Sequence, residues 1–277
     1  MTTTTTGIEP VVRRSASRRY WRSLWLLTAR DLKVRYTTSF LGYLWSVIDP
    51  LLMSGIYFFV FVLVFHRNQP GQEPYIVFLV SGLLPWTWFT NSINDSAKAF
   101  TREAKLLRST TIPRTIWVAR MVLSNGIEFL LSIPVLLIFA LIFTFAHTHG
   151  TTWHWQGWLH WLIAIPMEAV LLMGLGLIVA PLVVFFRDLE RVIRLVLRLL
   201  FYASTIIYGP QDLDRLGLHT ASAFNPLTGI IGLYRSAFFP KDLSWFDVGM
   251  GALVTIAIFV IGVFVFRGSV RTVLKEL

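Results

Sequence analysis

The sequence predicts an all-α membrane protein, with six transmembrane helices behind an amphipathic helix that lies in the membrane interface. Composition is the first reason. Of 277 residues, 55% are hydrophobic, 15% aromatic and only 14% charged, with a mean hydropathy of +0.63. Soluble domains carry about a quarter charged residues, so water is a poor solvent for this chain. The second reason is length. A bilayer core about 30 Å thick takes roughly 20 apolar residues per helix, and six stretches qualify, at about 46–65, 75–93, 116–145, 161–186, 195–210 and 248–266. The third is charge. Of the 25 Lys and Arg residues, 21 fall on one side of these stretches: eight from Arg13 to Arg35, six from Lys98 to Arg120, four from Arg187 to Arg198 and three from Arg267 to Lys275. Only Arg67, Arg215, Arg235 and Lys241 fall on the other. The enrichment of basic residues on the cytoplasmic side of membranes then sets both termini in the cytoplasm. It also accounts for the net charge of +10 without a nucleic-acid partner.

In chain order, residues 1–17 form a Thr-rich tail expected to be disordered, and 18–277 form the transmembrane domain. The N-terminus has no apolar core or cleavage site, so no signal peptide is expected. The interface helix spans 18–43. Trp21, Trp25, Leu32 and Tyr36 share one face, with Arg22, Arg30 and Lys33 largely opposite, although Leu26 and Val34 interrupt the polar side. Aromatic residues on one side and cations on the other describe a helix lying in the plane of the interface. Gly42 permits a change of direction, and Asp49-Pro50 reads as an N-cap followed by Pro at the first helical position. The chain enters the membrane at about Trp45. The cations of this segment either anchor it to anionic lipid or form a specific site for a phosphorylated lipid.

The third apolar stretch exceeds one span and should tilt or protrude; the fifth is the shortest, ending at Gly209-Pro210. Between the second and third, Asp95–Arg108 is amphipathic, with Phe100, Ala104 and Leu107 on one side and Lys98, Arg102 and Lys105 toward the other. The 37-residue connection 211–247 is too long for a plain loop, and its apolar residues among Asn225-Pro226, Gly229 and Gly232 suit short re-entrant or interfacial helices.

Several chemistries are disfavoured. The chain has no cysteine, which removes disulfides, thiol catalysis and thiolate metal sites. It contains no GxxxxGK[ST], and no GxSxG or HExxH. His147, His149, His154 and His160 sit among tryptophans at an outer interface, where an aromatic belt is expected, so no metal site is assigned. Asp212-Leu213-Asp214 resembles a DxD element but falls on the outer side, where nucleotide sugars are absent. Asp49, Glu128 and Glu168 lie in or near spans, where ionised groups are rare and usually functional. Glu128 and Glu168 have no local basic partner, so each faces a polar cavity or pairs between helices; a structural pairing is expected. Tyr57, Phe61 and Phe65 recur every four residues, and Phe201 and Tyr208 are seven apart. Such stripes serve helix packing, or offer sugar rings weak, repeated contacts along a path.

RDLKVRYTTSFLGYLWSVIDPLL, from Arg30, resembles the N-terminal signature of ABC-2 type permeases that export polysaccharides, O-antigens and teichoic acids. FLVSGLLPW (Phe78–Trp86) with AKLLRSTTIPR (Ala104–Arg114), and FNPLTGIIGLYR (Phe224–Arg235), resemble further segments in the family's order. Among relatives, the chain is similar to actinobacterial exporters of a lipid-linked cell-wall galactan. The resemblance implies two copies of this chain in the plasma membrane with two copies of a separate cytoplasmic ATPase, which would bind the ATP and Mg. No cofactor is expected in this chain, and no catalytic residue. The substrate would be a polyprenyl-pyrophosphate-linked glycan, with Arg30, Lys33 and Arg35 placed to meet the pyrophosphate. Asp95–Arg108 would hold a coupling helix seated on the ATPase, with Arg102, Glu103 and Lys105 as contacts. Tyr57, Phe61, Phe65, Phe201 and Tyr208 would line the glycan channel, and the 211–247 helices would close its outer mouth. The alternatives are an integral membrane enzyme acting on polyprenyl-linked sugars and an ion channel. For the first, Asp31, Asp95, Glu103, Asp188, Glu190 and the terminal Glu9 and Glu276 form no recognisable catalytic motif; for the second, no polar or charged pore ring is evident.

Overall fold

The computed structural model describes residues 16–37, 42–60, 75–146, 154–209, 212–213 and 217–276, and among them every regular element is helical. Helix α1 (Ala16–Thr37) leads through a 3₁₀ turn at Gly42–Leu44 into α2 (Trp45–Phe58). Then come α3 (Tyr75–Ala97), α4 (Ala104–Ser109), α5 (Thr115–Ala146), α6 (Trp155–Phe185) and α7 (Leu189–Ala203). Two short helices, α8 (His219–Ala223) and α9 (Pro226–Arg235), and a 3₁₀ turn at Pro240–Asp242 precede α10 (Trp245–Glu276).

Four helices are long and apolar enough to cross a bilayer: α3, α5 over Thr115–Ile142, α6, and α10 over Trp245–Val270. Helix α3 is the hub, packed against α5, α6, α9, α2 and α7. Its 23 residues are buried on nearly every side, as befits a helix that is apolar all round. The 32 residues of α5 run about 48 Å, longer than the bilayer core, as its length in sequence requires. Helices α6 and α10 form the most extensive pair. They meet at Gly174 and Gly262, where one glycine carbonyl lies against the other glycine. Small residues allow this approach where lipid gives apolar helices no reason to separate from it.

The other two predicted spans differ. Only 14 residues of α2 are helical before Phe59, and its apolar stretch continues into residues outside the described set. Helix α7 has 15 residues, about 22 Å, and begins six residues before the predicted 195–210. Past it, residues 204–209 leave the helix. The Ile206 carbonyl accepts a hydrogen bond from Arg235 at 2.6 Å, the Thr205 carbonyl accepts another, and the Ile207 carbonyl accepts from Tyr75. Arg235 is 1% exposed and stacks 3.5 Å over the Phe78 ring. Non-helical backbone is tolerated at membrane depth when protein satisfies its polar groups, and Arg235 does this here.

Three further expectations are corrected. Asp49-Pro50 does not start a helix: Gly42, at φ +47°, and the turn after it redirect the chain early, so α2 begins at Trp45 and Pro50 is its sixth residue. Asp95–Arg108 is not one helix but the end of α3, a turn and the six-residue α4, although Phe100 and Leu107 are buried and Lys98, Arg102 and Lys105 exposed as predicted. On α1, Trp21 and Trp25 are exposed, but Leu32 and Tyr36 are half-buried. The packed stripe is Leu24, Thr28, Asp31 and Arg35, which lies on α5. Between α8 and α9, Asn225 caps α9 by accepting from the Leu227 amide at 3.1 Å, with Pro226 at the first position.

Candidate functional site

At the end of the bundle that carries the basic loops, α1 packs on α5 and α2 on α3. They leave a groove of about 880 Å³. Its wall carries Trp45, Trp88, Asn91 and Asn94, and Lys98 and Arg102 stand at its rim. A groove of this volume suits a small ligand, and its mix of amides, indoles and cations suits a polar one.

Two ion-pair networks hold the groove's shape. In the first, Arg120 of α5 is completely buried and bridges two carboxylates, Asp31 of α1 at 3.3 Å and Glu103 at 3.1 Å. Arg30 pairs with the same two, and Trp117 lies 4.6 Å from the Arg120 guanidinium. Glu103 immediately precedes α4, so this bridge ties the interface helix, α5 and the α4 turn together. In the second, Arg35 donates to Glu128 at 2.7 Å, Asp95 at 2.8 Å and Asn125 at 2.9 Å. Asn125 in turn donates to Asp95 at 3.0 Å. Desolvation opposes the charge on Arg35, but Glu128 and Asp95 outweigh it and hold the guanidinium pKa above its ordinary value.

Asp31 goes the other way. Burial pushes its carboxyl above the usual 3.8, and Arg120 and Arg30 offset this only in part. A carboxyl raised on folding contributes stability that is present below the unfolded value and lost as pH rises through the folded one. Asp31→Asn removes that loss. Its stability relative to the parent should therefore increase as pH rises above about 4, read by thermal unfolding in detergent from pH 4 to 8. A constant difference across that range would show that Asp31 titrates as it does in the unfolded chain.

The structure distributes the predicted residues unevenly. Arg30 and Arg35 line the groove but are engaged with carboxylates, and Lys33 is exposed on the outer side of α1. Arg102 and Lys105 are exposed, whereas Glu103 turns inward to Arg120. Phe201 is buried, with its ring centroid 5.4 Å from that of Trp86, and Tyr208 is half-buried and donates to the Tyr202 carbonyl. Tyr57 lies on α2; Phe61 and Phe65 fall outside the described residues. Glu128 pairs with Arg35 across 93 positions of sequence, and Glu168 accepts from the Tyr234 hydroxyl at 2.9 Å. Both are the inter-helix pairings expected of acids in spans. His160 hydrogen-bonds Ser236 at 2.8 Å and meets Trp245 edge to face; His147 and His149 lie outside the described residues. Sequence reasoning missed Arg120, Asp95, Asn91 and Asn94 as parts of one site. The available signal was an arginine at the fifth position of a predicted cross-membrane helix.

The ABC-2 type transporter family profile matches residues 22–239. The chain belongs to the ABC-2 type transporter family. The matched region contains the whole groove and both ion-pair networks of this ABC-2 transporter. An O-antigen export system permease protein RfbA of Klebsiella pneumoniae is 36% identical over 246 residues, covering 87% of this chain and 90% of that one. A protein of the same name from Myxococcus xanthus is 30% identical over 218 residues, 78% and 80% of the two chains. The polysialic acid transport protein KpsM of Escherichia coli is 26% identical over 219 residues, 79% and 81%. Among these relatives, the ABC-2 transporter aligns over most of each chain's length.

Proposed function

We propose that this transporter is the membrane-spanning permease of an ATP-driven exporter that moves a polyprenyl-pyrophosphate-linked polysaccharide outward across the plasma membrane. On this reading the substrate is a cell-wall galactan or an O-antigen-like glycan. Two copies of the chain work with two separate ATPase subunits, which bind ATP and Mg, and both termini lie in the cytoplasm. The supporting observation is the groove: a cavity lined by indoles and amides, with cations at its rim, at the end of the bundle that carries the basic loops. The names of the relatives support the substrate class.

The pyrophosphate enters beneath α1. Lys33, on the outer side of α1, meets it first, and Arg30, 44% exposed, meets it in the groove, while Arg35 shapes the wall. A charged headgroup must replace its hydration before it crosses, and charge-assisted hydrogen bonds from these cations do so. The ATPase docks on the α4 turn, where Arg102 and Lys105 face it and Glu103 passes its movement through Arg120 to α1 and α5. Aromatics line the glycan path: Tyr57, Phe61 and Phe65 from the first span, with Tyr208 from the fifth, while Phe201, buried against Trp86, backs the path from within the bundle. The short helices α8 and α9 close its outer mouth. The exposed apolar faces of α2 (Leu52, Met53, Ile56, Phe59) and α10 (Leu253, Ile256, Phe264) are divided between lipid and the second copy.

Depletion of the protein in its own host, with radiolabelled lipid-linked glycan followed over time, tests this reading. Full-length glycan should accumulate on the cytoplasmic side while surface glycan falls. Accumulation of a shorter precursor would instead place the protein in glycan synthesis.

A further inference from the structure

Helix α7 carries three distinct faces. Ile193, Leu197 and Phe201 are buried and point into the bundle. Val192, Val196 and Leu199 form an exposed apolar face. Arg191, Arg194 and Arg198, spaced by three and four residues, form a third face that is also exposed, with Leu195 and Tyr202 beside them. Among the described residues, Glu190 alone lies within ion-pairing reach of these arginines, 3.9 Å from Arg194.

Their depth makes this face informative. Phe201 packs against Trp86, the middle residue of the 23 in α3, and farther along the Ile207 carbonyl meets Tyr75 at the start of α3. The α7 segment therefore runs antiparallel to α3, with Phe201 near mid-span. At 1.5 Å per residue, Arg198 lies about 4.5 Å, Arg194 about 10 Å and Arg191 about 15 Å from Phe201 toward the basic end. With a hydrocarbon half-thickness of about 15 Å, Arg191 marks the boundary and the other two lie inside it. Arginines at such depth face protein or a water-filled cavity rather than lipid. The protein beside α7 is already occupied by its Ile193–Leu197–Phe201 face.

We propose that the Arg191–Arg194–Arg198 face lines an aqueous path and forms a ladder of phosphate-binding sites from the inner surface toward the membrane centre. The ligand it fits is the pyrophosphate of a prenyl-linked substrate, and this assignment rests on the exporter reading; the aqueous, anion-selective character of the face does not. Three cations in succession let a diphosphate pass from one arginine pair to the next without losing all its partners, and multiple weak sites permit release. Arg guanidinium groups suit phosphate because they bind it in a bidentate fork.

The chain lacks cysteine, so an introduced thiol is unique within it. Leu195 borders the arginine face, next to Arg191 and Arg198 at four and three residues' spacing, whereas Val196 lies on the apolar face; they are 56% and 51% exposed in a single chain. Any difference between them therefore reports what covers each face. The variants Leu195→Cys and Val196→Cys, in the full transporter with its ATPase in inside-out vesicles, are treated with an anionic and a cationic methanethiosulfonate. Labelling is read on this chain, with rates normalised to those of a free thiol in water. L195C should react much faster than V196C and prefer the anionic reagent by about tenfold. Adding Arg194→Gln and Arg198→Gln should abolish that preference, while Arg198→Lys should retain most of it. Farnesyl pyrophosphate should slow L195C labelling at lower concentration than inorganic pyrophosphate, which assigns the ladder to a lipid headgroup; protection by inorganic pyrophosphate at equal or lower concentration would overturn that assignment. An L195C as slow as V196C, or one without anion preference, would overturn the ladder itself. The labelling does not depend on export, so failure of the exporter reading in the depletion experiment would leave this result standing.

Discussion

Arg120→Met is expected to cost about 3–5 kcal/mol of stability, the usual cost of removing one partner from a buried ion pair. Arg120 has no exposed surface, and it bridges Asp31 of α1 and Glu103 immediately before α4. Without it, only Arg30 remains to balance them, and Arg30 is 44% exposed and therefore weakly coupled to both. Thermal unfolding in detergent, followed by tryptophan fluorescence, measures the loss, since Trp117 lies against the guanidinium. Glu103→Gln in the Arg120→Met background should recover part of the loss, because a neutral amide no longer repels Asp31. That recovery, obtained from a double-mutant cycle, separates the bridge from general damage to α5. An Arg120→Met protein that melts with the parent would mean that the carboxylates are hydrated and that nothing is carried between α1 and α4 through this residue.

The same bridge shows where sequence reasoning stops. Helices α3, α5, α6 and α10 were legible because each is an apolar run of membrane length, a property of neighbouring residues. Helix α7 was misplaced for the same reason. Its first residues, Leu189 to Arg194, are charged enough to read as loop, yet its buried Ile193–Leu197–Phe201 stripe makes it helical from Leu189. Arg35 was legible as a cation at the interface and Glu128 as an acid in a span. That each is the other's partner was not, because 93 residues separate them and only the packing of α1 on α5 brings them within 2.7 Å. The readings of Asp49-Pro50 and of Asp95–Arg108 failed through local rules. Capping preference and amphipathic periodicity describe isolated segments, whereas the turn at Gly42 and the burial of Phe100 and Leu107 fix where these helices begin and end.

Gly262→Ala should be strongly destabilising, costing more than the about 1–3 kcal/mol typical of overpacking. A Cβ at Gly262 would collide with the Gly174 backbone, and one at Gly174 would lie 2.7 Å from the Phe259 Cα. Neither obstacle is a side chain that could change rotamer. Relief requires that α6 and α10 move apart, and in a membrane that separation loses packing with no apolar burial in water to compensate it. Gly268→Ala is the control: it is on the same helix, with nothing within 4 Å of its Cβ, and should be neutral or stabilising by up to about 1 kcal/mol through helix propensity. Unfolding by titration with a denaturing detergent compares the two. Gly174→Ala combined with Gly262→Ala should cost less than the sum of the single changes, because one separation of the helices accommodates both methyl groups. Equal stability of Gly262→Ala and Gly268→Ala would mean that α6 and α10 do not approach this closely in the membrane, and the largest helix pair of the fold would have to be repacked.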